Sequence, residues 1–518
     1  MDQERAVSDL APLNLAPTLA GPTAGKGCAA DALDELVSIK GIAEAVGALA
    51  QLHWDDDARV LDAVQGARCL RHDVRPTKRV GVYYHALSTG GAERVTLDLL
   101  ELWTSMGLEV TLLCDEGSEV PASVERLGIA TVFLPGFETA VRDAYPARAR
   151  ALYQALCDHE LDTLVYSQWL SPTVAWDLLV TTLAGVAFVA FTHGTYRILS
   201  AYDQPQLLRA VSVLSRAQAL VCLSREDERF WHTFHPHVYR TINPIDPAFL
   251  AAPAAGLDGH TLMWVGRLDG DKQPLAALEV FAQVRTSVDD ARLVMVGPWG
   301  NIARDEFERM EQSLGIQGSV EYVGDVAHDR LPQMLEDADV FLLTSRYEGY
   351  CLALGEAKAL GVPCATYDLD NLELLEGHRG VAVAPVGDVS ALAAHVVELL
   401  QDADLRKRQG AEAREHMREL AAFDAKALWS EVFASCEAAA ATSDANPIAW
   451  LLADASLRAQ TVMAQRDEAV RAREAAERER DAVRADLAAL AGSVSFKVGR
   501  AVTAPLRFVR DRMGQGRS

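Results

Sequence analysis

Two glutamates, Glu348 and Glu356, stand eight positions apart in the run Ser345-Arg346-Tyr347-Glu348-Gly349-Tyr350-Cys351-Leu352-Ala353-Leu354-Gly355-Glu356. A carboxylate only accepts hydrogen bonds and can take two at once, which suits a pair of vicinal hydroxyls. Just upstream, Val340 to Thr344 is a short apolar run of the kind a buried parallel strand shows. Leu352 to Leu360 has helical composition and stops at Gly361, with Pro363 beyond. Glu348 therefore falls in a strand-to-helix turn and Glu356 about one turn into the helix. Gly349 and Gly355 let backbone approach a ligand closely. Backbone amides from Gly349, Tyr350, Cys351 and Leu352 into the new helix can receive a phosphate.

A second group of polar residues follows Leu262 to Gly266, another apolar strand run. Arg267 and Lys272 sit in Gly266-Arg267-Leu268-Asp269-Gly270-Asp271-Lys272-Gln273-Pro274, where two cations can neutralise a departing diphosphate. Asp269-Gly270-Asp271 also spells an Asp-x-Asp, yet it lies inside this cationic loop, and no other spacing in the chain suggests a metal. Asp55 to Asp57 reads as a solvated turn. Near the front, Arg79 to Tyr84 reads as a first strand, and Gly90 and Gly91 open the helix after it, as glycine-rich turns near ligands do. Val186 to Phe191 leads to His193, which either faces a ligand or is satisfied by nearby backbone.

The Glu348 to Pro363 segment resembles the Glu-x7-Glu signature of retaining glycosyltransferase family 4, which has the GT-B fold. That resemblance implies that Glu348 contacts the donor sugar and Glu356 the nucleotide ribose. It further implies that Arg267 and Lys272 bind the donor diphosphate. Gly90 and Gly91, in Gly-Gly-Ala-Glu-Arg, would lie at the interdomain cleft near the donor phosphates, and His193 would face the transferred sugar. Ala219 to Ser224 with Glu226 resembles the family's strand and following helix before the crossover. Asn243-Pro244-Ile245-Asp246 resembles its hinge, and Asn-Pro marks a turn in its own right. Lys358 replaces a small or apolar residue usual in the family, and Pro363-Cys364-Ala365-Thr366 is less apolar than its typical strand.

The elements that must hold these residues are those of a large α/β protein. A chain of 518 residues is too long for one core. Strand runs alternate with helical stretches from about Arg79 to Leu400, which predicts doubly wound parallel sheets that bind ligands at the carboxyl ends of their strands. The expected division is an extension over 1–77, Rossmann-like domains over 78–247 and 248–440, a linker and long charged helix over 441–491, and a tail over 492–518. The 8 cysteines are scattered without metal or redox spacing, as reduced cytoplasmic thiols would be. No signal peptide is visible at the start, and Leu178 to Phe191 is too short for a membrane span and reads as a helix end plus a strand. Asp31 to Leu70 looks helical, and leaves packing on the first domain and dimerisation both open.

Beyond Asn446-Pro447, apolar or small residues recur every seven positions from Ile448 to Leu490. Poor partner positions such as Arg458 and Glu479 leave a weak coiled coil, joining copies of the chain, and a solvated single helix equally open. Residues 496–518 carry a net charge of +5 against −29 for the rest. Val498, Val502, Leu506, Val509 and Met513 form an apolar stripe opposite Arg500, Arg507 and Arg510, as an interfacial membrane helix needs. Residues 493–507 also resemble a tail of bacterial surface-polysaccharide glycosyltransferases. A tail packing on the protein's own acidic body is the alternative, and so acidic a chain disfavours nucleic acid.

The reading that results is a cytoplasmic enzyme, with a peripheral membrane surface through 493–517. It would transfer a sugar, with retention, from a nucleotide diphosphate sugar to a glycan or lipid-linked glycan, using no metal or other cofactor. The alternatives are a sugar-nucleotide-binding scaffold without turnover and a GT-B epimerase.

Overall fold

Runs in which nearly every residue is apolar can be satisfied only between two layers of helices, and that is where the chain puts them. Thr163–Tyr166, Ala187–Phe191 and Val340–Leu343 are buried along their whole length. The computed structural model describes residues 39–54, 60, 61, 63, 64, 67, 76–87, 90–136, 144–369 and 371–438. The chain divides into two compact units, Met1–Ala453 and Asp454–Ser518, and every described residue belongs to the first. The expectations for residues 1–38, the Asp55 to Asp57 turn, the heptad segment 448–490 and the basic tail 493–517 lie outside the described residues.

Two parallel sheets result. The first contains β1 (Arg79–Tyr83), β2 (Glu109–Asp115), β3 (Ala130–Leu134), β4 (Thr163–Tyr166), β5 (Ala187–Phe191), β6 (Ala219–Cys222) and β7 (Val238–Arg240), in the order β3-β2-β1-β4-β5-β6-β7. The second contains β8 (Thr261–Val265), β9 (Arg292–Val296), β10 (Val320–Gly324), β11 (Val340–Leu343), β12 (Cys364–Tyr367) and β13 (Val381–Ala384), in the order β10-β9-β8-β11-β12-β13. Strand order reverses beside β1 in one sheet and beside β8 in the other. These switch points open a crevice at the strands' carboxyl ends. Residues 241–260 join the two sheets, and the Asn243-Pro244-Ile245-Asp246 run lies at the start of that connection.

The amino-terminal helix α1 (Ile39–His53) packs on the first domain, one of the two roles open for its segment. Ala43, Val46 and Ala50 are buried in the core behind the first sheet, and Trp54 stacks on Trp176 with ring centroids 6.1 Å apart. A Cβ on Gly47 would stand 2.8 Å from the Pro146 Cβ, so the helices there meet at backbone distance. The last described helix, Ala425–Ala438, was expected in the second domain but returns to the first. Trp429 packs edge-on to Trp103 at 4.9 Å and to Phe191 at 6.1 Å. Three large aromatics hold this return, each worth far more in burial than the local chain propensity.

Candidate active site

Each loop that carries a candidate residue leaves the carboxyl end of a strand, and short hydrogen bonds tie the loops together. Thr344, just past β11, donates to the carbonyls of Lys272 and Gln273 at 3.0 and 2.9 Å and accepts from Trp264 Nε1. The Arg346 amide donates to the Asp271 carbonyl at 3.2 Å. The loop after β8 and the loop after β11 therefore form one rigid unit. Helix α2 (Gly91–Ser105) begins on the facing domain, and helix α3 (Leu352–Ala359) begins in this one. A Cβ on Gly91 would sit 3.5 Å from Leu352, so the two helix N-termini face each other across the cleft.

Glu348 is only 8% exposed, and its Oε1 accepts from Lys272 Nζ at 2.5 Å and from Ser345 Oγ at 2.6 Å. Burial disfavours the Lys272 ammonium, but the Glu348 carboxylate outweighs that and leaves its pKa raised. Asn371 Nδ2 donates to the Glu348 carbonyl at 2.7 Å and fixes the backbone of the turn. Gly349 explains itself by geometry: a Cβ there would lie 2.2 Å from the His193 carbonyl oxygen. The loop of the second domain thus rests directly on the turn of the first.

Cys351 caps helix α3 with φ of +66°, a left-handed conformation that glycine favours. Its thiol is buried, which pushes its pKa far up, so it is no nucleophile. The Tyr350 ring points into the core, so this residue offers the cleft its backbone, while its hydroxyl finds no partner among the described residues. Leu352 is partly buried beside Gly91.

Arg267 leaves 63% of its side chain exposed, with Nε held by Asp269 Oδ2 at 2.7 Å. The Asp269 hydrogen bond first, and also the Glu93 carboxylate of the first domain, raise its pKa. Asp269 also accepts from the Lys272 amide at 3.2 Å. Both of its oxygens are thus used within the loop, and no metal-holding cluster of three His, Cys, Asp or Glu occurs among the described residues. Asp269 thus shapes the cationic loop.

His193 lies against Phe191 and Tyr84, and neither ring nitrogen has a partner among the described residues. That removes the reading in which backbone satisfies it. Burial lowers its pKa to about 3, so the ring is neutral. One nitrogen can donate and the other accept, as a sugar hydroxyl requires.

Glu356, 7% exposed, accepts from His328 Nε2 at 2.7 Å. Behind it Lys358 turns away from the cleft, donating to the Leu374 carbonyl at 2.5 Å and to His416 Nδ1 at 2.8 Å. Burial lowers the Lys358 pKa to about 8 and, with Lys358 adding to it, that of His416 to about 4. Gly90 caps α2 in extended backbone without a side-chain bond, leaving the first amides unclaimed by a cap. A separate cavity of about 460 Å³ opens at the opposite end of the first sheet, lined by Arg79, Glu109 and His159 among others, and contains none of these residues.

Sequence reasoning missed the partners that come from distant chain. His328, Asn371 and the Lys358–His416 pair carry no local signal. Asp246 and Arg94 did stand inside noted motifs.

Comparison with known proteins matches this arrangement domain by domain. The family described as glycosyl transferases group 1 matches residues 251–416, and the one described as glycosyltransferase family 4 matches residues 89–249. An exopolysaccharide phosphotransferase of Streptomyces coelicolor is 27% identical over 56% of this chain, which spans only 31% of that protein's length. A phosphatidyl-myo-inositol mannosyltransferase of Mycobacterium leprae is 26% identical over 64% of this chain and 88% of its own. Among solved structures, Anabaena HepE in complex with UDP-glucose aligns with a TM-score of 0.57 at 15% identity, covering 68% of this chain and 98% of that one.

Proposed function

Because the chain belongs to glycosyltransferase family 4 and has the GT-B fold, we propose that it transfers a sugar from a nucleotide diphosphate sugar to a glycan or lipid-linked glycan, with retention at the anomeric carbon. The observation that carries this is the Lys272–Glu348 ion pair at the switch point of the second sheet, with the His193 ring, whose nitrogens have no partner among the described residues, on the facing domain.

The donor diphosphate sits against Arg267, Lys272 and the amides opening α3, with its ribose on Glu356 and its sugar between Glu348 and His193. As the bond from the anomeric carbon to the diphosphate breaks, negative charge grows on the leaving oxygens. Cations and amides already aimed there stabilise it without reorganising. The acceptor hydroxyl attacks from the same face, and its proton passes to a diphosphate oxygen. This reading uses no separate base and no metal.

A relative that acts on phosphatidyl-myo-inositol and another named for cellobiosyl-diphosphopolyprenol support a lipid-linked acceptor. The basic tail of 493–517 suits docking at the inner face of an anionic membrane, at about 1 kcal/mol per basic residue. No helix among the described residues is long and apolar enough to cross a membrane.

The test is release of nucleoside diphosphate from UDP-, GDP-, dTDP- and ADP-sugars without metal, comparing the wild type with Glu356→Ala and Arg267→Ala. Release from one donor, lost in both variants, is the expected result. If no donor is turned over and none raises the melting temperature, a scaffold without turnover replaces this reading.

A further inference from the structure

Glu356 is not held by its own domain alone. Its Oε1 accepts from His328 Nε2 at 2.7 Å, and His328 Nδ1 lies 2.8 Å from Arg94 Nη1. Arg94 belongs to helix α2 of the other domain, 234 positions earlier in the chain. The same guanidinium donates through Nη2 to Asp246 Oδ2 at 2.8 Å, in the hinge, and more loosely through Nε to Asp98 at 3.4 Å. Phe249 packs on the imidazole with ring centroids 5.1 Å apart.

The chemistry of the donors fixes the direction of this chain. Arginine has no acceptor, so His328 Nδ1 must accept from it, and the ring hydrogen must sit on Nε2, pointing at Glu356. A carboxylate that takes two vicinal hydroxyls must hold its plane in line with them. Free rotation about its last bond would cost it that alignment. The imidazole hydrogen bond removes that rotation, and the arginine fixes the imidazole in turn, much as outer residues orient the ligands of a metal.

We propose that His328 and Arg94 are positioning residues for the ribose-binding carboxylate. Through them, a residue of the first domain sets the grip of the second on the donor. The proposal rests on the reading of Glu356 as the ribose contact. It differs from that of an ordinary interdomain ion-pair cluster, because only ligands with ribose hydroxyls feel it.

The experiment is calorimetric titration of the full chain with UDP, GDP and ADP and with their 2′,3′-dideoxy counterparts. His328→Leu is expected to weaken the ribonucleotide that binds by about tenfold, the loss of one charge-assisted hydrogen bond. The dideoxy counterpart should bind as it does to the wild type. His328→Gln should restore ribonucleotide binding, since its amide can accept from Arg94 and donate to Glu356. Arg94→Met should show a smaller loss with the same selectivity, and adding it to His328→Leu should change nothing further, because the two act in series.

Equal weakening of both nucleotides in His328→Leu, or none in either, overturns the proposal. Glu356→Ala separates the two levels. If it discriminates between the nucleotides while His328→Leu does not, the relay fails and the ribose assignment stands. If Glu356→Ala does not discriminate, or no nucleotide binds the wild type, both fail.

Discussion

Lys272 Nζ stands 2.5 Å from Glu348 Oε1, so the carboxylate proposed to face the donor sugar is already paired with an ammonium. The pair joins the loop after β8 to the loop after β11, and neither residue is independent of the other. Lys272→Met leaves a nearly buried carboxylate with Ser345 alone. Breaking such a pair is expected to cost about 2 kcal/mol, less than for a fully buried one because the lysine is partly solvated. Chemical unfolding measures that loss. Turnover should fall by about a hundredfold or more, with the fall residing in kcat, because leaving-group charge develops only in the transition state.

Arg267 makes a contrasting case. Its side chain is mostly exposed, and among the described residues its ion-pair partner is Asp269. Arg267→Ala should leave the melting temperature within about 1 °C of the wild type, as surface changes do, while kcat falls by about two to three orders of magnitude. Arg267→Lys should recover little, because a point charge cannot both hold Asp269 and fork toward a diphosphate. A variant that loses stability in step with activity would place Arg267 in the fold and not in the reaction.

Gly349→Ala tests the contact between domains. A methyl group there would meet the His193 carbonyl at 2.2 Å, well inside van der Waals contact. Since the obstacle lies on the other domain, the hinge can open to relieve it. Folding is therefore expected to survive, with loss of turnover of about a hundredfold from a misplacement on the order of 1 Å, and small-angle scattering should show a more open particle.

His193 gives a pH signature. Burial lowers its folded-state pKa from the ordinary 6.5 to about 3. Below about pH 6.5 the unfolded chain takes up a proton that the folded chain refuses, so stability falls as pH drops toward about 3 and is unaffected above that window. In His193→Gln the melting temperature should fall less between about pH 7 and 4.5 than in the wild type. Equal falls in the two proteins would show a solvated imidazole. The pH profile of turnover should carry no limb from His193 near neutrality, because the ring stays neutral there.

Removing residues 493–518 should release the protein from vesicles of anionic lipid while nucleoside diphosphate release continues unchanged. Flotation with and without raised salt measures the first, since surface attraction of this kind weakens within a Debye length of about 8 Å at physiological ionic strength.

Strands buried on both faces announce themselves, which is why Ala187–Phe191 and Val340–Leu343 could be read from sequence to within a residue or two. Val320–Gly324 alternates only weakly between partly buried and exposed positions and gives a far fainter signal. Residues of the site that share one loop, such as Glu348 with Gly349 or Arg267 with Lys272, were legible because their spacing is itself the message. Lys358 was visible only as an oddity until the fold supplied the Leu374 carbonyl and His416 as its partners. His328 had no local mark at all, because its meaning lies in Arg94 and Glu356, which folding alone brings together. The return of Ala425–Ala438 to the first domain was hidden for the same reason, as Trp429 reads as core wherever it lands.

The seating of Gly349 on the His193 carbonyl bears on a competitor that is always present. A glycosyl donor faces water as well as its intended acceptor, and water is the more abundant nucleophile. At Gly349 the two backbones meet with no room for even a methyl group, so solvent cannot pass at that point. On the proposed function, an acceptor would then enter from elsewhere in the cleft, and the fit of one glycine against one carbonyl would help keep futile hydrolysis of the donor down.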